Sequence, residues 1–504
     1  MLKKNKIYRD CIAALSGVLL ALAFAPYDYW YFSILSLILL FSCWQGITSR
    51  RAATRGFLFG LGLFGFGIPW VYVSIHDFGQ ADVLPAAMLT LLFISLWASF
   101  PALAGYITVR FFTARSRAFQ LLTWPAVWIL IEYLRGNWAF NGFPWFQLAY
   151  SQLDSPIAGY IPILGVYGAG WFIAVTAILA LQVAQKRYNN LLIPLGSVFV
   201  IFVPGWCLSQ IAWTEVTGKP FKVTLLQGNV AQDKKWKLEH RQEILQWYKK
   251  MSTLHWDSKL IIWPESAIPA FYHQVREDYL LPLANEAKSH GTDLVISLPY
   301  KNDKGKKYNT VMTFGENHGI YRKIHLLPFG EYLPLRPLFN VILGSLDIMP
   351  VGRFTAGKID QPLLKAAQHP FLATICYEDA FGEEGRRGLP DAAYLVNVTN
   401  DGWFGETIEP YQHMQIARMR ALETGRYLLR STNNGFTGIV APDGKIIHQA
   451  PLFTATSLTG EITPMTGMTI FARFGERPVI VVLLVLLIVS VKNKPRVLEK
   501  SFKF

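Results

Sequence analysis

The stretch Ala373-Thr374-Ile375-Cys376-Tyr377-Glu378-Asp379 decides how the chain is read. Ala373 to Ile375 form a short buried strand, and charge resumes only at Glu378, which places Cys376 at a strand end beside a turn. A thiol in that position is accessible and suits a nucleophile. The competing reading is packing, because a free cysteine usually fills core volume. Cys11, Cys43 and Cys207 all lie in apolar segments, so Cys376 has no disulfide partner in its own region.

Working outward, the 504 residues are 52% hydrophobic and only 16% charged, too apolar for a soluble protein. The formal charge of +14 comes from basic clusters that flank apolar segments, a membrane-insertion pattern rather than a nucleic-acid footprint. Eight spans are expected, at about 12–25, 30–47, 56–75, 83–109, 118–134, 161–185, 191–209 and 478–491. With a cytoplasmic N-terminus, alternate crossings put Lys3 to Arg9, Arg50 to Arg55, Arg110 to Arg117, Lys186–Arg187 and Lys492 to Arg496 all inside. The expected division is a seven-helix transmembrane domain over 1–211, an outer domain over 212–472, and a last helix with a basic tail over 473–504. In a bacterium the outer domain is periplasmic. A cleavable signal ending at Ala23-Phe24-Ala25 is disfavoured by Pro26 and by the spans that follow. The eighth span is short for a hydrocarbon core of about 30 Å, and an interfacial start near Ile470 would lengthen it. Gly56, Gly60, Gly62, Gly65 and Gly67 in the third span read as close helix packing. The aromatic loop from Arg135 to Phe146 reads either as an interfacial belt or as a lipid access route with Arg135 near a headgroup.

From about 221 onward, short strands alternate with amphipathic helices. Strands are expected at Lys222 to Val230, Leu260 to Trp263, Asp293 to Pro299, Asn309 to Phe314, Gly319 to Arg322, Ala392 to Val398, Tyr427 to Ser431 and Thr437 to Ala441. Helices are expected over Trp236 to Trp256, about 277–290 and Pro410 to Thr424. That alternation predicts an α/β layered fold of about 250 residues, with sheets covered by helices.

Two more strand ends carry chemistry. Leu260-Ile261-Ile262-Trp263-Pro264-Glu265 ends in an acid, and Tyr321-Arg322-Lys323 ends in a base, ahead of Pro328-Phe329-Gly330-Glu331-Tyr332. Taken singly, Glu265 and Lys323 read as surface ion-pair residues. Together with Cys376 they fit acyl transfer: a base to take the thiol proton, and a cation that, with the backbone N–H of Tyr377, stabilises a tetrahedral oxyanion. A Cys–His pair using His325 or His413 is the rival arrangement. Neither HExxH nor CxxC spacing occurs, so no metal site and no cofactor is expected.

These motifs, Trp263-Pro264-Glu265, Arg322-Lys323 with Pro328 to Tyr332, and Ile375-Cys376-Tyr377-Glu378, resemble the Glu-Lys-Cys signature of the nitrilase superfamily. With eight spans around them, the chain resembles from end to end the apolipoprotein N-acyltransferase family of Gram-negative bacteria. Leu226 to Trp236, Tyr308-Asn309-Thr310 and Asn397 to Gly405 are similar to that family too. The resemblance implies an α-β-β-α sandwich in the periplasm on an inner-membrane helical domain. It also implies a ping-pong reaction in which a fatty acyl chain passes from a glycerophospholipid, typically phosphatidylethanolamine, to Cys376 as a thioester. The chain then passes to the diacylglyceryl-cysteine of an apolipoprotein. By the same carry-over Glu265 is the base, Lys323 the oxyanion stabiliser, Glu331 and Glu378 supporting acids, and Trp236, Tyr377 and Asn309 line the substrate pocket.

The apolar, proline-containing segment 333–350 admits two readings. It is either a lid whose Leu338, Phe339, Ile342 and Leu343 touch lipid, or a patch packed beneath the domain. A membrane-anchored amidase with the same triad, and a transporter or receptor carrying a degenerate domain, are the rival functions. The multi-span platform argues against the first, since a soluble substrate needs only an anchor. The scarcity of charges inside the spans, Glu132 being the clearest, argues against the second.

Overall fold

The computed structural model describes residues 2–113, 116–138, 141–185, 192–332 and 354–492. The helical part comprises Leu2–Ala21, Tyr31–Trp44, Ser49–Gly67, Val83–Ile107 continued through Phe112, Arg117–Asn137, Ile161–Ala184, Leu192–Leu208 and Arg477–Lys492. Among the described residues two stretches, Val83–Phe112 and Pro156–Ala184, are long and apolar enough to cross a membrane. The third expected span is not one rod. Ser49–Gly67 stops before Pro69 and the chain resumes as Trp70–Phe78, bent by 59°, since proline cannot donate to the preceding turn. Close packing of its glycines holds at four of five positions. A β-carbon on Gly56 or Gly60 would overlap backbone at Pro101 or Ala98, one on Gly62 would overlap Ala14 and one on Gly67 the Phe146 ring, whereas Gly65 faces open space. Before the last helix, Ile470–Phe474 is a separate short helix, ended by Gly475 at φ +68°.

The stretch between the last two long helices forms two six-stranded sheets packed face to face. The first runs Thr456–Ile462, Phe221–Gln227, Leu260–Ile262, Asp293–Lys301, Lys307–Phe314, Gly319–Arg322. The second runs Ile446–Gln449, Gly438–Val440, Leu428–Thr432, Tyr394–Thr399, His369–Ile375, Leu364–Ala366. The middle three strands of each are parallel or nearly so: 221–227, 260–262 and 293–301 in the first, 369–375, 394–399 and 428–432 in the second. Side chains alternate as the pleat requires. Leu260, Ile262, Ala373, Ile375, Val396 and Val398 enter the core between the sheets. Ile261 points outward onto helices Leu238–Thr253 and Leu281–Ser289, and Leu372 and Leu395 point outward onto helix Glu409–Thr424. The strands Leu364–Ala366 and Thr456–Ile462 escaped the sequence reading, and Trp236, expected as the first residue of a helix, lies between the helices Gln232–Lys235 and Leu238–Thr253.

Helix Glu409–Thr424 has two apolar faces. Met414, Ala417 and Ala421 cover the second sheet, while Ile416, Met419 and Leu422 join a core shared with the membrane helices, together with Tyr377, Ala380 and Phe381. The chain enters and leaves the sandwich at a two-residue antiparallel ladder, Glu215–Val216 against Met465–Thr466.

Candidate active site

Each of the three sequence motifs follows a strand of this sandwich, and each includes a non-glycine residue forced to positive φ: Ser266 at +48° after Glu265, Phe329 at +64° before Glu331, and Cys376 itself at +52°. Such backbone costs roughly 1–3 kcal/mol per residue and clusters where a site must be held open. At Cys376 it ends strand His369–Ile375 abruptly and starts the 3₁₀ turn Cys376–Ala380, lifting the thiol out of the sheet.

Glu378 locks that turn. Its Oε2 accepts the N–H of Ile375 at 2.8 Å, and its Oε1 accepts Tyr321 Oη–H at 2.9 Å and the N–H groups of Ile324 at 2.7 Å and His325 at 3.0 Å. Burial pushes the Glu378 carboxyl up to about 7. All four partners donate, however, so the arrangement suits the ionised acid. One side chain thereby ties the lysine segment to the cysteine turn.

Glu265, Asn309, Glu331 and Lys323 form a second network. Asn309 Nδ2 donates to Glu265 Oε1 at 2.8 Å and to Glu331 Oε1 at 2.9 Å, and Lys323 Nζ lies 2.8 Å from Glu331 Oε2. Leu327 N–H donates to that same Oε2 at 2.8 Å. Asn309, expected to line the substrate pocket, orients two carboxylates. Burial pulls the Lys323 ammonium down, but Glu331 and then Glu265 outweigh it and hold it well above the lysine range. Burial raises Glu265, with Lys323 opposing. Cys376 feels both: burial and then the Glu265 carboxylate push its thiol up to about 12 against the pull of Lys323. Cys376 therefore rests as a neutral thiol, and such a thiol can act as a nucleophile only if a base takes its proton.

Neither histidine is free to act as that base. His325 Nε2 meets the carbonyl of Asn141 at 2.9 Å, its ring stacks on Phe381 at 3.6 Å, and burial lowers it to about 4. His413 is buried with Nε2 3.0 Å from Asp379 and Nδ1 3.0 Å from Asp401. Burial and Arg430 push it down, yet the two carboxylates prevail and keep it protonated.

Of the remaining expected residues, Tyr377 is buried and its hydroxyl donates to Gly142 O at 2.9 Å, its ring lying parallel to that of Trp145. Trp236 is 48% exposed, next to Lys235, whose Nζ donates to the main-chain carbonyl of Glu265 at 3.0 Å. Burial lowers Lys235 to about 8. Leu338, Phe339, Ile342 and Leu343 lie outside the described residues. The sequence reading missed Lys235, Asn397 and Arg430, because nothing in a sequence distinguishes a buried polar residue from a solvated one.

Arg135 is buried rather than presented to a headgroup. Its guanidinium donates to the carbonyls of Phe143 at 2.8 Å and Trp145 at 2.5 Å, pinning the aromatic loop. Gln412 continues the tie: its Oε1 accepts the indole N–H groups of Trp145 at 2.7 Å and Trp70 at 3.1 Å, and its Nε2 donates to Gly67 O at 2.9 Å. The cysteine turn thus rests directly on the membrane helices.

A helix-covered double sheet whose strand ends carry Glu, Lys and Cys defines a carbon–nitrogen hydrolase domain, and the family model described as carbon-nitrogen hydrolase matches residues 222–469. A second family model, the apolipoprotein N-acyltransferase N-terminal domain, matches residues 16–179. Curated relatives named apolipoprotein N-acyltransferase match nearly end to end. That of Methylococcus capsulatus is 48% identical over 93% of this chain and 93% of its own length. Those of Nitrosomonas europaea and Coxiella burnetii are 42% and 39% identical, covering 94% and 95% of this chain and 95% and 99% of theirs. The chain belongs to the apolipoprotein N-acyltransferase family, and it is an acyltransferase built on a carbon–nitrogen hydrolase domain.

Proposed function

We propose that the enzyme transfers a fatty acyl chain from a glycerophospholipid, phosphatidylethanolamine among them, to the α-amino group of an apolipoprotein's diacylglyceryl-cysteine, through a thioester on Cys376. Glu265 takes the thiol proton as sulfur attacks the ester carbonyl. The oxyanion is stabilised by Lys323 Nζ and the N–H of Tyr377. Collapse breaks the ester C–O bond, and Glu265 returns the proton to the departing lysophospholipid oxygen. In the second half the amine attacks the thioester, Glu265 accepts a proton from it, and the thiol is regenerated. Glu331 and Glu378 hold Lys323 and the cysteine turn, and Trp236 borders the site. No cofactor enters this chemistry.

The observation that carries this reading is the Glu265–Asn309–Glu331–Lys323 network on a domain whose nucleophile turn packs into the core of the membrane helices. Intact-mass measurement on the purified protein after exposure to phosphatidylethanolamine vesicles tests it. One acyl group on Cys376, absent in Cys376→Ser and Glu265→Ala, is expected. Full transfer by Cys376→Ser would refute the thioester.

For placement, we propose eight crossings of the bacterial inner membrane, both termini cytoplasmic and the sandwich periplasmic, supported by the basic clusters at the inner ends. Leu338, Phe339, Ile342 and Leu343 are proposed as a lipid-facing lid. Phe339→Ser with Leu343→Ser should slow loading from vesicles much more than loading from a short soluble ester, and equal losses would assign the segment to packing instead.

A further inference from the structure

The buried polar residues behind the cysteine form a row that the reaction scheme does not use. Thr374, Asn397 and Arg430 are register partners on three adjacent parallel strands, Thr374 opposite Asn397 and Asn397 opposite Arg430. They project from the sheet face that helix Glu409–Thr424 covers, beside the apolar row of Leu372, Leu395 and Leu428. Asn397 and Arg430 are fully buried. Three buried polar groups in one row are expensive unless hydrogen-bonded; here the bonds run in one direction, although Arg430 Nε makes none. Asn397 Nδ2 donates to Thr374 Oγ1 at 3.0 Å and to the main-chain carbonyl of Cys376 at 3.3 Å. Asn397 Oδ1 accepts Arg430 Nη1 at 2.6 Å, which fixes which end of the carboxamide faces the cysteine. Arg430 in turn is held by Asp379 Oδ2 at 2.8 Å and approaches Asp401 Oδ2 at 3.5 Å, and both acids bind His413.

The carbonyl that Asn397 grips belongs to the peptide linking Cys376 to Tyr377. A peptide group is planar, and in a trans peptide its N–H points opposite to its C=O. Fixing the carbonyl oxygen therefore fixes the direction of the Tyr377 N–H on the other side of the same plane. That N–H is the oxyanion donor in the reaction above, and the plane of its peptide turns about the Cα–C bond of Cys376 and the N–Cα bond of Tyr377 unless something holds it.

We propose that Asn397 is the positioning residue of the oxyanion site: it aims the Tyr377 N–H by holding the opposite end of the peptide, with Arg430, Asp379 and His413 as its fixed support. Opposite charges face one another in the support: the His413 imidazolium and Arg430 stand against Asp379 and Asp401, and Glu409, whose carboxyl burial raises to about 7, lies 3.3 Å from His413 Nδ1. Asp401, Glu409 and His413 have ligand-type atoms within 4.8 Å of one another, but the guanidinium beside Asp401 and the proton on His413 already supply the positive charge a cation would bring.

The inference rests on the thioester reading, and two assays on the full-length protein in phospholipid nanodiscs keep the two separable. Alkylation of Cys376 by iodoacetamide is a displacement at carbon with no oxyanion, whereas acylation by p-nitrophenyl butyrate or by phosphatidylethanolamine passes through one. Asn397→Asp, which keeps the shape and the Arg430 partner but removes the donor, should lower acylation about 100-fold, in the range of a lost oxyanion donor, and change alkylation less than threefold. Thr374→Val, which removes one anchor of the carboxamide, should show the same split to a smaller degree. Equal losses in both assays would make Asn397 a scaffold for the thiol alone, and unchanged acylation would leave it no part in the site; either overturns the proposal. If Asn397→Asp does not fold, Thr374→Val decides by the same criteria. Failure of the wild-type protein to acquire an acyl group on Cys376 from phospholipid, with the split on p-nitrophenyl butyrate intact, would refute the donor assignment and spare this one.

Discussion

At the scale of single residues, the site works by opposing burial with partners. Lys323 is 1% exposed and remains charged only because Glu331 and Glu265 face it. Lys323→Ala should lower acyl loading of Cys376 by about 10²- to 10³-fold, read by intact mass against time. The thiol at about 12 sets a pH expectation whose sign follows from the raised value. In Glu265→Gln the carboxylate's push is gone, but burial, the larger cause, still disfavours the thiolate, so with no base to take the proton the iodoacetamide rate should climb steadily from pH 7 to 10. A plateau reached by pH 8 would mean that Lys323 keeps the sulfur ionised. Glu378 gives a third test. Its carboxylate receives four donors, so Glu378→Gln turns an N–H toward a buried donor. Leaving such a group unpaired costs about 1–3 kcal/mol, measurable as a lowered denaturation midpoint of the purified protein.

At the scale of elements, the strands carrying Glu265, Lys323 and Cys376 were legible because each is an apolar run stopped by a charged or nucleophilic residue. Of the residues that hold those three, Glu331 and Glu378 were reached only through the family resemblance, and Asn397 and Arg430 were not legible. Asn397 lies inside Tyr394–Thr399 as one polar position among apolar ones, and its role depends on Arg430, 33 residues away. The strand Thr456–Ile462 was missed because its residues are only half-buried at the sheet edge, so its alternation is weak. Of the two readings of the aromatic loop, the one with Arg135 near a headgroup gives way for a related reason: an arginine beside tryptophans at a helix end resembles a headgroup contact until its three carbonyl partners are seen. Arg135→Met leaves those carbonyls buried without donors and frees the loop that supports Tyr377. Acylation of Cys376 should fall at least tenfold while limited proteolysis still yields an intact sandwich, and unchanged acylation would mean the loop holds its place without the arginine.

For the whole molecule, composition made the membrane character plain, and hydropathy marked positions where helices indeed occur. What hydropathy could not give is the break at Pro69, where the chain leaves one helix direction for another, or the second apolar face of Glu409–Thr424. That helix reads as amphipathic on a covered sheet, and only the fold shows that its other side is covered as well. A fragment comprising 212–472 alone should therefore expose Ile416, Met419, Leu422 and Phe381 and aggregate when expressed without the helical part, as light scattering would show. Accessibility labelling of single cysteines at 186–190 and within 212–472 from opposite faces of the membrane checks the orientation.

The ladder of Glu215–Val216 with Met465–Thr466 brings the two ends of the sandwich to one point, roughly 5 Å apart as paired strands are. A unit whose ends coincide can be accommodated within a single loop without redirecting the helices on either side. The architecture is thus modular at that junction, and a hydrolase domain from another source could be grafted there with the helical framework undisturbed. Whether such a chimera worked would be decided far from the splice, by whether the incoming domain presented counterparts of Tyr377 and Gln412 to Gly142, Trp145 and Trp70.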